Sequence, residues 1–403
     1  MHKSRYKFLT HLILPTLTRS MSTTSKNQIN NVLLEQQKHG NRRAAIAQLC
    51  STSNKITNII NIAKCAGMAK RSNANMLLLP ECFGYIGESG TDTLDNSEPS
   101  LYIDKDDDGS TNDYFCDTME NQKIYTILSS IVMQYWSGYE IEENDDACVT
   151  KKELQESYAE LSNQKNAKNW GFLLYSLRSI AHISNMWISG GGMHESNAPP
   201  DNTRVYNSHV IINSDGKLIS VYRKIHLFDV SIPDQNIYLK ESNTTAPGDK
   251  LIVVPNTPLG NLGLSTCYDM RFPEMYLQLV SSQNSAEIAD VILIPSAFTV
   301  PTGKAHWHTL CKARAIETQC YVLASAQVGK HNGKRESYGH SIAVDPWGVI
   351  VAEDSGVGNG KDDSNEEHIV PSVTICDIDL GLVETVRQKM PLQLHRRSTP
   401  FSF

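Results

Sequence analysis

Short apolar runs alternate with stretches of helical periodicity along most of the chain. Residues 44–49 and 76–79 are short apolar runs of strand length, and between them Ile56, Ile59, Ile60, Ala63 and Ala66 recur at helical spacing. This predicts a βαβ opening. A helix is predicted over 172–183, leading into a strand at 186–189. Runs at 205–212 and 218–223 flank Asn213-Ser214-Asp215-Gly216, a turn sequence suited to a hairpin, so the sheet is predicted to be mixed. Further strands are predicted at 262–266, 291–294, 321–326, 341–344, 349–352 and 373–378, with helices at 274–280 and 305–318. No internal repeat is present. This alternation predicts α/β layers of sheet covered by helices in one large domain.

Two regions break the pattern. Residues 1–34 hold Lys3, Arg5, Lys7, Arg19 and Lys26 and no acid, the first carboxylate being Glu35. With its many Ser and Thr, the 1–41 leader resembles a mitochondrial targeting segment. A start at Met21 would discard four of those cations, so both a mitochondrial and a cytoplasmic form are expected. From about 95 to 169 there are 17 acids and 6 Lys or Arg, including Asp106-Asp107-Asp108 and Glu142-Glu143. That local charge of −11 (6 minus 17) predicts a solvated, partly disordered insertion, apart from one helix over 124–136. A polar run at 356–368 reads as an extended loop between strands, and 391–403 as a tail.

Composition narrows the function classes. The chain has 403 residues, 40 % hydrophobic and 20 % charged, enough to bury a full core. A formal charge of −7 argues against nucleic acid as the partner. No run of 18 apolar residues exists, so no helix is predicted to span a membrane. Nine cysteines without CxxC pairs or Cys/His ligand spacing read as reduced thiols, with neither a disulfide framework nor a metal site.

The chemical signal lies where apolar strands stop. Met76-Leu77-Leu78-Leu79 runs into Pro80-Glu81, Val221-Tyr222-Arg223 into Lys224, and Gly263-Leu264-Ser265-Thr266 into Cys267. In α/β sheets the carboxyl ends of strands form the ligand crevice, so an acid, an ammonium and a thiol placed there can converge. A thiol needs deprotonation before it attacks, and a carboxylate beside it can take and return the proton. Glu81 would be the base and acid, Lys224 the oxyanion cation and Cys267 the nucleophile. Taken singly, each has an ordinary reading: a small buried hydrophobe, a solvated lysine, a turn pair.

The flanking residues decide between these readings. Leu78-Leu79-Pro80-Glu81, Tyr222-Arg223-Lys224-Ile225-His226-Leu227-Phe228 and Cys267-Tyr268-Asp269-Met270-Arg271-Phe272-Pro273-Glu274 resemble the three signature segments of the nitrilase superfamily of carbon-nitrogen hydrolases. The resemblance covers about 42–390, apart from the insertion and the loop near 360. It implies a four-layer αββα sandwich, a Glu81/Lys224/Cys267 triad, a supporting Glu241 that orients Lys224 and the substrate amide, and self-association as a homodimer or higher oligomer. Downstream, Pro295-Ser296-Ala297-Phe298, Ala305-His306-Trp307, Ala313-Arg314-Ala315-Ile316-Glu317 and Ser337-Tyr338-Gly339-His340-Ser341 resemble the deaminated glutathione amidase branch. Thr299-Val300-Pro301 and the long insertion depart from that pattern.

The implied reaction is hydrolysis of the amide in deaminated glutathione to 2-oxoglutarate and cysteinylglycine through a thioester on Cys267. The partner is then a small-molecule amide, and the reaction calls for neither metal nor organic cofactor. Tyr268 would lend its amide to the oxyanion, Arg271 would either pair a substrate carboxylate or belong to a structural ion pair, and Phe298 and His306 are weaker rim candidates. Three alternatives stay open: an omega-amidase acting on 2-oxoglutaramate, a catalytically silent scaffold, and a thiol protease using His226 or His306 as its base.

Overall fold

The computed structural model describes residues 42–99, 101, 119–138, 146–162, 171–198, 203–232, 237–281, 287–355 and 369–397. The predicted leader, the acidic cluster at 106–108 and the polar loop at 356–368 lie outside the described residues, as does the end of the tail.

In chain order the elements are β1 (Arg43–Leu49), α1 (Lys55–Arg71), β2 (Met76–Leu78), α2 (Gly90–Asp95), α3 (Met119–Ser137), α4 (Asp146–Ser162), α5 (Phe172–Ser184), β3 (Trp187–Ala198), β4 (Arg204–Ile212), β5 (Leu218–Arg223), β6 (Asp229–Ile232) and β7 (Ile237–Lys240). They continue with β8 (Val253–Thr257), β9 (Gly260–Leu264), α6 (Pro273–Leu279), β10 (Val291–Leu293), α7 (Val300–Thr318), β11 (Tyr321–Ala324), β12 (Ala326–Lys330), β13 (Glu336–Tyr338), β14 (Ile342–Val344), β15 (Ile350–Glu353), β16 (Ser372–Asp377), α8 (Leu380–Lys389) and α9 (Leu392–His395).

Strand periodicity builds the layers. Along β1, Ala44 and Ile46 enter one apolar cluster while Ala45, Ala47 and Leu49 enter another, and Met76 and Leu78 separate from Leu77 and Leu79 in the same way. The first sheet therefore has two buried faces. It runs β13-β12-β1-β2-β3-β4-β5, with β16 also paired to β1; the second runs β15-β14-β11-β10-β9-β8. One face of the first sheet lies under α1, α3 and α5 through Ile59, Ile62, Ile124, Leu128, Leu177 and Ile180. Its other face meets the second sheet, which is covered in turn by Met275, Tyr276 and Leu279 of α6 and Trp307, Cys311 and Ala315 of α7. That is the αββα sandwich. The mixed topology follows from β1, β2 and β3 pairing in parallel before the β4-β5 hairpin turns antiparallel.

Several elements depart from expectation, among them β8, β13 and α8, which were not predicted, and α9, which falls in the expected tail. The 321–326 run is two strands: β11 belongs to the second sheet and β12 to the first, the chain crossing between them at Ser325. An unbroken apolar run reports burial on both sides but not which sheet it joins. The insertion carries a second helix, α4, whose Leu154 is buried and whose Tyr158 packs on Phe172 with ring centroids 4.7 Å apart. Residues four apart make a stripe narrow enough to be hidden among acids. The β6-β7 hairpin was not predicted, and it delivers Glu241.

Helix α3 docks closely on α1. A Cβ at Gly67 would lie 2.5 Å from Tyr135 Cβ and 2.6 Å from the Val132 carbonyl, so only glycine allows the approach. Gly67→Ala is expected to lower the free energy of unfolding by about 1–3 kcal/mol, as overpacking does elsewhere. Urea denaturation measures it; an unchanged midpoint would show that α3 is not held against α1.

Candidate active site

Glu81 and Lys224 come from the first sheet and Cys267 from the second, so the site forms where the carboxyl ends of β2, β5 and β9 face one another. Gly191 of β3 lets these segments meet, because a Cβ there would overlap the Leu79 carbonyl and the Pro295 ring. Lys224 N–H donates to the Asn207 carbonyl (2.9 Å), which holds the lysine segment beside β4.

The three side chains, separated widely in sequence, meet in one place. Lys224 Nζ donates to Glu81 Oε1 at 3.0 Å and to both oxygens of Glu241 at 2.9 and 3.1 Å. Cys267 and Glu81 stand close enough that each shifts the other's proton affinity, and both line the same cavity. Glu241 stands at the exit of β7, in a 3-10 turn, and Phe228 N–H fixes its Oε2 at 2.7 Å. Asn207, on β4, donates Nδ2–H to Glu81 Oε1 at 2.9 Å. Sequence reasoning missed Asn207; its only signal is a polar residue in an apolar strand whose pattern otherwise points inward.

Electrostatics set the resting protonation. Burial works to raise the Glu81 pKa, but the Lys224 ammonium and its hydrogen bond, with the neighbouring Cys267 thiol, outweigh it and hold the carboxyl below its usual range. Lys224 is driven the other way: burial disfavours its charge, yet Glu241 and Glu81 together keep its pKa well above normal. For Cys267, burial and the adjacent Glu81 charge push the pKa well above normal, against the pull of Lys224 and the Ala297 amide. The resting nucleophile is therefore a neutral thiol beside a carboxylate. At the sulfur the Glu81 charge outweighs that of Lys224.

The cysteine turn is built with strain. Cys267 has φ of 48°, a left-handed conformation that costs a non-glycine residue about 1–3 kcal/mol. Its amide donates to the Pro295 carbonyl at 2.9 Å, leaving the Tyr268 amide as the next backbone donor along the turn. Buried Asp269 locks the turn to the lysine strand, accepting from Tyr222 Oη (2.6 Å), from the Thr266 amide (2.9 Å) and from the His226 amide (2.9 Å). Pro273 opens α6 at its first turn, as predicted.

These groups line a cavity of about 1030 Å³ that also exposes Tyr268, Arg271, Phe298 and Arg335. The Arg271 guanidinium lies 5.7 Å from the ring centroids of both Tyr268 and Phe298 and has no carboxylate partner among the described residues, so it is not a structural ion-pair member. His306 is exposed and off the cavity wall; its Nδ1 lies 3.3 Å from Arg271 Nη2. His226 is also off the wall, stacked on Phe272 at 3.7 Å and paired to Asp269. The imidazole that does line the cavity, His194, lies 4.0 Å from Cys82 Sγ, and burial with nearby cations pushes its pKa down to about 4. Neither histidine of the protease alternative is placed to serve Cys267.

Among the described residues, one cluster has metal-ligand composition: His308, His340 and Glu353, outside the cavity. Both imidazoles meet the same Glu353 oxygen, at 2.7 and 2.8 Å, which satisfies the cluster by hydrogen bonding alone.

The carbon-nitrogen hydrolase family model matches residues 43–388. A nitrilase and fragile histidine triad fusion protein of Drosophila melanogaster is 33 % identical over 383 residues, 95 % of this chain and 63 % of that protein. This chain thus spans less than two thirds of the fly protein's length. Deaminated glutathione amidase of Dictyostelium discoideum is 32 % identical over 356 residues, 88 % of this chain and 94 % of that one. Among solved structures, the NitFhit protein of C. elegans superposes with a TM-score of 0.60 at 34 % identity, over 89 % of this chain and 66 % of that chain. On the family match, the fold and the relatives together, the chain belongs to the carbon-nitrogen hydrolases of the nitrilase superfamily.

Proposed function

We propose that the protein hydrolyses a linear amide through a Cys267 thioester, and that the amide is that of deaminated glutathione. The observation that carries the reaction is one cavity lined by Cys267, by Glu81 and by Lys224, the ammonium donating to Glu81 at 3.0 Å. As the sulfur attacks the carbonyl carbon, its proton passes to Glu81. Lys224 and the Tyr268 amide receive the oxyanion, each such donor contributing about 3–4 kcal/mol. Glu81 then protonates the amine, the C–N bond breaks, and a thioester remains. Water gives its proton to Glu81, attacks the thioester and releases the acid, and the sulfur recovers its proton. Glu241 and Asn207 touch no reacting atom in this scheme; they hold Lys224 and Glu81 in register.

The substrate assignment draws on three supports. The Dictyostelium relative bearing the name deaminated glutathione amidase is matched over nearly its whole length. The cavity is at the upper end of the range for small-molecule sites, about 300–1,000 Å³, roomier than a five-carbon amide needs. Its unpaired Arg271 suits a carboxylate. Product analysis by mass spectrometry should show 2-oxoglutarate and cysteinylglycine from deaminated glutathione, formed faster than 2-oxoglutarate and ammonia from 2-oxoglutaramate. The reverse order would make the protein an omega-amidase, and no turnover of any linear amide would leave a silent scaffold.

A further inference from the structure

A second guanidinium faces the same cavity. Arg335 stands in the 331–335 turn joining β12 to β13, held by its own amide donating to Asn332 Oδ1 at 2.9 Å and by its carbonyl accepting from the His331 amide at 2.9 Å. The turn is thus rigid at the backbone while the side chain is free: no hydrogen bond or ion pair of the guanidinium occurs among the described residues. Its charge nevertheless reaches the centre of the site, acting on Glu81, Cys267 and Glu241. Lys334 beside it also lines the cavity, as do the acids Glu88 and Glu336.

Arg271 and Arg335 reach the cavity from different elements. Arg271 hangs from the cysteine turn and packs against Tyr268 and Phe298. Arg335 is solvent-exposed at the tip of a hairpin. An acyl-enzyme must release its amine and admit water through the open side of the cavity, so the departing half of the substrate lies toward that opening. Unpaired guanidinium in a partly desolvated site recognises planar anions, and carboxylate above all.

We infer that Arg335 is a specificity subsite for a carboxylate on the leaving-amine half of the substrate, so that the enzyme prefers amides carrying one carboxylate on each side of the scissile bond. The inference rests on the proposed amidase reading and sharpens it. A dicarboxylate with its charges on opposite sides of the amide would engage Arg271 and Arg335 together, whereas 2-oxoglutaramate, whose leaving group is ammonia, offers Arg335 nothing. The cavity then selects by the departing half as well as by the acyl half.

The test is a cycle between protein and substrate, using the full chain, Arg335→Gln, deaminated glutathione, and its analogue with the terminal glycine carboxylate converted to carboxamide. Wild type should lose about 100-fold in kcat/KM on amidation of the substrate, as expected for one side of a charge-assisted pair. Arg335→Gln should lose about as much on the free acid and no more on the amidated analogue, while Arg335→Lys, which keeps the charge but not the fork, should fall between. Thermal melting of Arg335→Gln near the wild-type midpoint confirms that the hairpin is intact. Additive losses, with wild-type turnover intact, overturn the subsite and leave the amidase reading standing. Absence of wild-type turnover on both compounds removes that reading and the subsite with it.

Discussion

Lys224→Met is expected to reduce amide hydrolysis by about 10⁴-fold or more, and at neutral pH to lower the unfolding free energy by about 3–5 kcal/mol. Both effects have one origin. The ammonium sits 3.0 Å from Glu81 and 2.9 Å from Glu241, all in a site where Lys224 is 2 % and Glu81 4 % exposed. Removing it leaves buried Glu81 and half-buried Glu241 facing each other with no cation, so one takes up a proton and the candidate base is lost along with the oxyanion donor. The pH dependence follows from the directions of the shifts. Lys224 has its pKa raised, so its contribution is complete below the ordinary lysine value, about 10.4, and fades only as pH rises through the higher folded value. Glu81 has its pKa lowered, so its contribution is complete above the ordinary carboxylate value, about 4.3, and fades as pH falls through the lower folded value. Between those limits the wild type keeps the full contribution. In Lys224→Met the carboxylate repulsion is relieved by acid, so the stability gap should narrow as pH falls toward 4 and below. Adding Glu241→Gln to the variant should restore much of the stability and none of the activity. Urea denaturation across pH with steady-state kinetics reads all of this; a Lys224→Met protein within tenfold of wild-type activity would sink the mechanism.

The parts of the site that were legible in the sequence are those on which a strand ending and a reactive side chain coincide. Met76 to Leu79 before Glu81 and Gly263 to Thr266 before Cys267 are such cases, because burial and chemistry are both written locally there. Glu241 could be named only through family resemblance: Lys240-Glu241-Ser242-Asn243 reads alone as a surface loop, and its burial against Lys224 depends on a hairpin, β6-β7, whose alternation is too short to declare itself. Asn207 and Arg335 were illegible for a different reason. Each acts through a neighbour distant in sequence, Glu81 lying 126 residues from Asn207, and no local pattern records which polar residue of a strand or turn will face a cavity. The layer order was recoverable from two-residue alternation in β1 and β2, yet the division of 321–326 between two sheets was not, since both halves are equally apolar.

Glu81→Gln should drive two properties of Cys267 in opposite directions. Activity should fall by about 10³–10⁴-fold, because the amide cannot accept the thiol proton or deliver one to the departing amine. The thiol itself should become more acidic. Burial and the Glu81 charge together raise its pKa in the native site, while Lys224 and the Ala297 amide oppose them, so removing the carboxylate charge leaves the opposing pair with less to overcome. Alkylation of Cys267 by iodoacetamide, followed as a function of pH, should therefore shift to lower pH in Glu81→Gln even as hydrolysis collapses. Gln keeps the size of the side chain and an oxygen for Asn207 and Lys224, so the difference isolates the charge. The wild-type kcat/KM should accordingly hold through the histidine range near pH 6.5 and fall only on acidification toward the carboxylate range, since the base is Glu81 with its pKa lowered. An enzyme that relied on a preformed thiolate would gain from a more acidic sulfur; one that moves the proton during attack loses. If the variant alkylates faster and also hydrolyses as well as wild type, Glu81 is not the base, and the thiol proton must leave by another route.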